Sequence, residues 1–137
     1  MDVEEVYQAI GEGGFERLVA AFYRQIPSDD ILGPMYRMAE DESAGTEAQR
    51  LAAAEARLRD FLIFRFGGPK RYIERRGAPA LRMRHAPFVV NLAARDRWIA
   101  LMNHALDETA LPPDAAHTIR EFLGSVATFL INRPEAG

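Results

Sequence analysis

The chain contains no cysteine. That excludes a disulfide framework, thiolate or iron–sulfur ligation, and thiol chemistry of any kind. Positive charge is not in surplus either: 17 Lys and Arg stand against 20 Asp and Glu, for a formal net charge of −3. A general nucleic-acid binder carries a basic excess, so no nucleic-acid partner is expected. No apolar run reaches the roughly 18 residues of a membrane span. The opening stretch MDVEEVYQAI is acidic and lacks an apolar core, which argues against a signal peptide. No segment alternates apolar and polar residues as a half-buried strand does, and no internal repeat appears. Glycines cluster only at Gly11 to Gly14, after a predicted short helix rather than a strand, so a dinucleotide-binding turn is excluded by context. The expectation is a soluble, cytoplasmic protein without a membrane partner.

What is present is apolar residues at helical spacing. With 137 residues and 48% hydrophobic content, one domain over 1–137 can bury a full core. Phe15, Leu18, Val19, Phe22 and Ile26 share one face and predict a helix that stops before Pro27. PSDDILGPMY predicts a turn with a short helical piece, punctuated by Gly33 and Pro34. Arg37 to Arg50 is polar and weakly patterned, and predicts a loop. Leu51, Ala54, Leu58, Phe61 and Leu62 make the next stripe, broadened by Ile63, Phe64 and Phe66 and stopped by Gly67-Gly68-Pro69. Between Lys70 and Leu81 only brief turns of helix fit. Asn91 is a predicted cap for a helix that buries Leu92, Ile99, Met102 and Leu106, with Trp98 turned inward beside them. Pro112-Pro113-Asp114 open the last helix, whose face is Ile119, Phe122, Leu123, Val126, Phe129 and Leu130. The fold class is all-α.

Charge is nevertheless gathered in one place. Lys70, Arg71, Arg75, Arg76, Arg82 and Arg84 face a single nearby acid, Glu74. Such a run is ordinarily a solvated face. A small anionic ligand, held where the run meets the apolar helices, is the functional alternative. His85 closes the run. A lone histidine beside apolar residues is usually a packing or surface residue. Here Pro87 limits how far a regular helix continues, and Phe88, Val89 and Val90 add apolar surface. A neutral imidazole in an apolar slot rimmed by guanidinium groups suits a flat apolar metal complex that carries carboxylates. Haem has that chemistry. His104 and His117 lack the spacing of a zinc pair and read as structural.

RLRDFLIFRFGGP, YIERRGAPALRMRHAPF and RDRWIALM together resemble the group II truncated haemoglobins, and the resemblance runs from FYRQI through the terminal helix. It implies a two-over-two helical sandwich around haem b, with His85 as the proximal iron ligand. It implies that Tyr23, Tyr36 and Trp98 are distal hydrogen-bond donors toward bound dioxygen, although Tyr23 and Trp98 also make sense as plain core aromatics. Ala54 matches the position of the distal histidine of vertebrate globins, and its side chain cannot donate a hydrogen bond. By the same resemblance Leu58, Phe61 and Leu62 form the distal wall, Met83, Phe88, Val90 and Met102 make proximal and edge contacts, and Arg57, Tyr72 and Arg84 reach the propionates. The unligated nitrogen of His85 is expected to bond a backbone carbonyl. The chain departs from the family in its longer Arg37 to Arg50 connection, in Arg65-Phe66, and in Gly77-Ala78-Pro79, where Gly-His-Pro is more familiar.

Three functions follow as expectations. The first is reversible binding of dioxygen or another diatomic gas by a monomer or homodimer. The second is redox enzymology at the same haem, nitric-oxide dioxygenation or peroxide turnover, with a separate reductase. The third is a cofactor-free helical interaction module in which all these residues are core.

Overall fold

The computed structural model describes residues 1–37, 45–86 and 88–133. After a single 3-10 turn at Val3–Glu5 the chain forms α1 (Val6–Tyr23), α2 (Leu32–Arg37), α3 (Glu47–Arg65), α4 (Arg71–Arg76), α5 (Leu81–His85), α6 (Leu92–Thr109) and α7 (Pro113–Phe129). Among the described residues there is no strand. The four long helices make two layers: α1 packs on α3, α6 on α7, and α1 crosses to both α6 and α7. This is the expected two-over-two sandwich. The short helices α4 and α5 lie between the layers in sequence, and with α2 they carry much of the candidate site.

Most of the apolar positions read from the sequence face one core, but on α6 Leu92 and Ile99 are half-buried outside it, and Ala94 and Ala105 are buried with Met102 and Leu106. Phe15, Leu18, Val19 and Phe22 of α1 meet Leu62 and Ile63 of α3, Leu106 of α6 and Ile119 of α7 in a single buried cluster. Each such side chain contributes about 1.5–3 kcal/mol when fully withdrawn from water. Phe66, just past α3, stacks on Phe15 with ring centroids 5.8 Å apart and meets Phe122 edge-on at 5.2 Å. The chain then turns at Gly67, whose φ of 96° and close approach to the Glu4 backbone leave no room for a Cβ. That contact, with the Tyr7 amide donating to the Phe66 carbonyl at 3.0 Å, ties the N-terminus to the end of α3. The glycine cluster lies inside α1, which breaks at Gly11 (φ 68°, ψ 178°) and resumes; it is not a strand-to-helix turn.

Several boundaries differ from expectation. The first helix ends at Tyr23, because the amides of Gln25 and Ile26 bond three residues back, to Phe22 and Tyr23, and tighten the last turn. Ile26 is still buried. Of the predicted loop, residues 38–44 lie outside those described, and its last residues are helical. Thr46 accepts from the Gln49 amide at 3.1 Å while the Gln49 side chain accepts from the Thr46 amide at 2.9 Å, a capping box that starts α3 at Glu47. Phe129 is 57% exposed rather than core, with the Arg82 guanidinium over its ring at 5.4 Å. The buried stripe of α7 runs instead through Ala115, Ile119, Leu123 and Ala127.

Candidate functional site

Three aromatic residues from three helices converge on one side of the core. Tyr23 at the end of α1 and Tyr36 on α2 meet edge-on, with centroids 5.6 Å apart and planes at 82°. Trp98 on α6 lies 5.1 Å from the ring of Phe22, the neighbour of Tyr23. The Tyr23 hydroxyl donates to the Ala54 carbonyl on α3 at 3.3 Å. Burial pushes the Tyr23 phenol well above its ordinary range, and the adjacent Tyr36 pushes it further. Burial also raises the Tyr36 phenol, opposed by the neighbouring Tyr23 and Trp98 side chains and by the Arg57 charge. Both phenols therefore keep their hydrogens at neutral pH.

A carboxylate absent from the sequence reading anchors this group. Asp29 accepts from the amides of Ile31 (3.0 Å) and Leu32 (2.7 Å), capping the helix that carries Tyr36. Its other oxygen accepts from Arg97 at 2.6 Å, and Arg97 precedes Trp98. Arg97 also bonds Asp30 at 2.7 Å. The backbone supports of two of the three aromatics are thus joined by one ion pair. Burial pushes the Asp29 carboxyl up, but the Leu32 amide, Arg97 and the Ile31 amide outweigh it and hold it below the usual range.

His85 ends α5. Its Nδ1 is 2.7 Å from the carbonyl oxygen of Leu81, one turn back, so a backbone carbonyl is the partner that the sequence could not name. With the hydrogen on Nδ1, the Nε2 lone pair has no partner among the described residues. Phe88 meets the imidazole edge-on at 6.3 Å. Arg84 is a staple for the preceding loop: Nε donates to the Pro79 carbonyl at 2.8 Å, and Nη2 to those of Arg76 (2.8 Å) and Ala78 (3.3 Å).

Between α3, α5 and α7 opens a cavity of about 490 Å³, lined largely by Phe61, Phe64, Leu81, Phe122, Val126 and Phe129. Phe61 and Tyr72 are buried and meet edge-on at 5.5 Å. Leu62, Val90 and Met102 are buried, Ala54, Arg57, Leu58, Phe88 and Trp98 are half-buried, and Met83 is 70% exposed. The basic run is mostly occupied. Asp60, only 5% exposed, accepts from Arg75 at 3.0 Å and lies 3.9 Å from Arg71, which also bonds Glu12. His104 and His117 are exposed and face Glu108 and Glu121 on their own helices. Among the described residues no group of three His, Cys, Asp or Glu side chains could hold a bare metal ion.

The model of the bacterial-like globins matches residues 5–132. The chain belongs to the bacterial-like globin family. Similarity to group II members runs along its length. It is 34% identical over 134 residues to group 2 truncated hemoglobin YjbI of Bacillus subtilis, covering 95% of this chain and 90% of that protein. A thermostable hemoglobin from the actinobacterium Thermobifida fusca superposes with a TM-score of 0.83 at 41% identity, over 95% of this chain and 98% of the other. A truncated oxygen-avid haemoglobin from Bacillus subtilis gives a TM-score of 0.81 at 29% identity, over 93% and 98%. Among the described residues of this globin no helix is long and apolar enough to cross a membrane.

Proposed function

We propose that this globin binds haem b through Nε2 of His85 and takes up dioxygen, or another diatomic gas, reversibly. The observation that carries the reading is the His85–Leu81 bond: it fixes the tautomer that leaves Nε2 basic and unpartnered. The chemistry of the residues suits the cofactor, for an imidazole, apolar side chains and guanidinium groups answer its iron, macrocycle and carboxylates; the apolar cavity of about 490 Å³ includes Phe61 and Leu81, the hydrogen-bond partner of His85. When bound, haem would supply a ferrous iron able to take up a diatomic gas.

Everything else in the proposal is work for the chain. Leu58, Phe61 and Leu62 exclude water from the distal side, and Phe88, Val90 and Met102 line the other, with the exposed Met83 at its solvent edge. Tyr23, Tyr36 and Trp98 offer hydrogen-bond donors in a dry pocket, where each is worth about 1 kcal/mol or somewhat more. Ala54 offers no side-chain donor, so the polar character of that face comes from the three aromatics. Arg57, Tyr72 and Arg84 are the proposed propionate partners; Arg84 keeps Nη1 for this while Nε and Nη2 hold the loop. The oxygen-avid Bacillus subtilis relative supports the choice of gas.

Haem titration of the purified protein, followed by reduction and carbon monoxide, tests the reading. The expected result is a saturable one-to-one Soret band that shifts with carbon monoxide and is lost in His85→Ala. An unchanged band in His85→Ala would remove His85 as ligand, and no specific uptake by the folded chain would overturn the haem assignment.

A further inference from the structure

The short helix that carries His85 has little to hold it in place. None of the five residues of α5 is buried, its N-cap Ala80 sits in the left-handed region (φ 42°, ψ 49°), and no side chain caps its start. A ligand histidine needs better support than that, because a short helix without buried anchors shifts easily. The staple from Arg84 secures the loop ahead of α5. The segment behind it is secured from the other end of the chain.

Asn132, three residues past the end of α7, uses its whole side chain on that segment. Nδ2 donates to the carbonyls of His85 (3.1 Å) and Phe88 (3.0 Å), and Oδ1 accepts from the Val90 amide at 3.0 Å. Its own amide donates to the Val90 carbonyl at 2.8 Å. Both amide hydrogens and the amide oxygen are therefore engaged, and all three partners are main-chain groups within six residues, 85 to 90. The His85 carbonyl matters most. It is an orphan acceptor at a helix C-terminus, and the Phe88 amide reaches it as well at 2.9 Å.

We propose that Asn132 is the positioning residue for His85. The imidazole is oriented within its helix by the Leu81 carbonyl, and the helix end is held against the body of the protein by Asn132. The proposal rests on the haem reading above for its consequence at iron, while the hold itself belongs to the chain alone. It also gives the residues after α7 a task at the site, one that no contact of Asn132 with a ligand would be needed to explain.

Two full-length variants separate the parts. Asn132→Asp keeps an acceptor for the Val90 amide and loses both donors, whereas Asn132→Ala loses everything. In the haem-free chain, hydrogen exchange at Val90 should stay slow in Asn132→Asp and accelerate in Asn132→Ala, with α1 amides unchanged in both. In the reconstituted ferrous protein, both variants should shift or broaden the iron–histidine stretching band and release haem to excess apomyoglobin about 10- to 100-fold faster, as loss of an outer support does at other metal sites. Variants that keep the wild-type band and release rate overturn the positioning role, even if both melt at lower temperature. Val90 exchange that is equally slow in Asn132→Ala overturns the hold. Wild-type protein that takes up no haem overturns the haem reading and the role at iron with it, and the exchange result then stands as a separate fact about the fold.

Discussion

Nδ1 of His85 and the carbonyl oxygen of Leu81 are 2.7 Å apart, within one turn of a five-residue helix. A carbonyl only accepts, so the ring hydrogen belongs on Nδ1 and Nε2 is left without a partner among the described residues. Removing this side chain takes away one hydrogen bond and a half-buried ring, and little else. His85→Ala should therefore cost the haem-free chain only about 1–2 kcal/mol while removing the proposed iron ligand. Thermal unfolding of the haem-free chain and the Soret spectrum together check this. A large stability loss with haem uptake intact would return His85 to the role of a packing residue.

Tyr23 and Tyr36 are not equivalent as proposed donors to a bound gas. The Tyr23 hydroxyl already donates to the Ala54 carbonyl at 3.3 Å, whereas the Tyr36 hydroxyl has no acceptor of its own among the described residues. A phenol without an acceptor of its own has its hydrogen available. Tyr36→Phe should thus speed oxygen dissociation about five- to tenfold, since a hydrogen bond contributes about 1 kcal/mol and 1.4 kcal/mol is a factor of ten. Tyr23→Phe should act more weakly. Stopped-flow displacement of oxygen by carbon monoxide measures both, and a larger effect at Tyr23 would reverse the assignment.

The helical stripes were legible because burial of one face repeats along the chain, and the residues at 15, 18, 19 and 22 or at 119 and 123 need no partner information to be recognised. Partners are another matter. Glu74 is the acid nearest the basic run in sequence, yet Arg71 and Arg75 pair with Asp60 and Glu12, which only the packing of α3, α4 and α1 brings near. Asp29 and Arg97 are 68 residues apart and carry no local signature. Arg84 was readable as a charge beside a histidine, but its acceptors are backbone carbonyls, and any residue has one. The start of α3 does carry a local signature: Thr46-Glu47-Ala48-Gln49 is a capping box inside a stretch whose polarity suggests a loop. Phe129 kept the helical period of the core and is exposed, since periodicity marks a face and not where that face ends.

The Leu32 amide bond and the Arg97 ion pair at Asp29 make stability depend on acid in a defined direction. The folded carboxyl is held below its unfolded value of about 3.9, so its contribution is complete above that pH and is lost as pH falls through the folded value. Asp29→Asn keeps an oxygen for the amides of Ile31 and Leu32 and removes the charge from Arg97. Below pH 4 the stability of the wild-type protein should fall more steeply than that of the variant, and the two curves should converge. Urea unfolding across pH 2.5 to 6 would show it, and parallel curves would mean that the pair contributes no proton linkage.

Arg84 offers a sharper test of what a guanidinium does beside the proposed ligand histidine. If its role were charge alone, lysine would serve, because an ammonium also attracts a propionate. The structure gives it three carbonyls at 2.8, 2.8 and 3.3 Å, reached from two nitrogens of one planar group. An ammonium on a flexible stem cannot present two nitrogens in that fork, so Arg84→Lys retains the charge and releases the loop of Gly77, Ala78 and Pro79. That loop leads directly into Ala80 and α5. Arg84→Lys should then lose haem nearly as fast as Arg84→Ala, with both faster than wild type. A lysine variant that holds haem like wild type, while the alanine variant does not, would show that attraction to the propionate is the larger effect and that the staple is incidental.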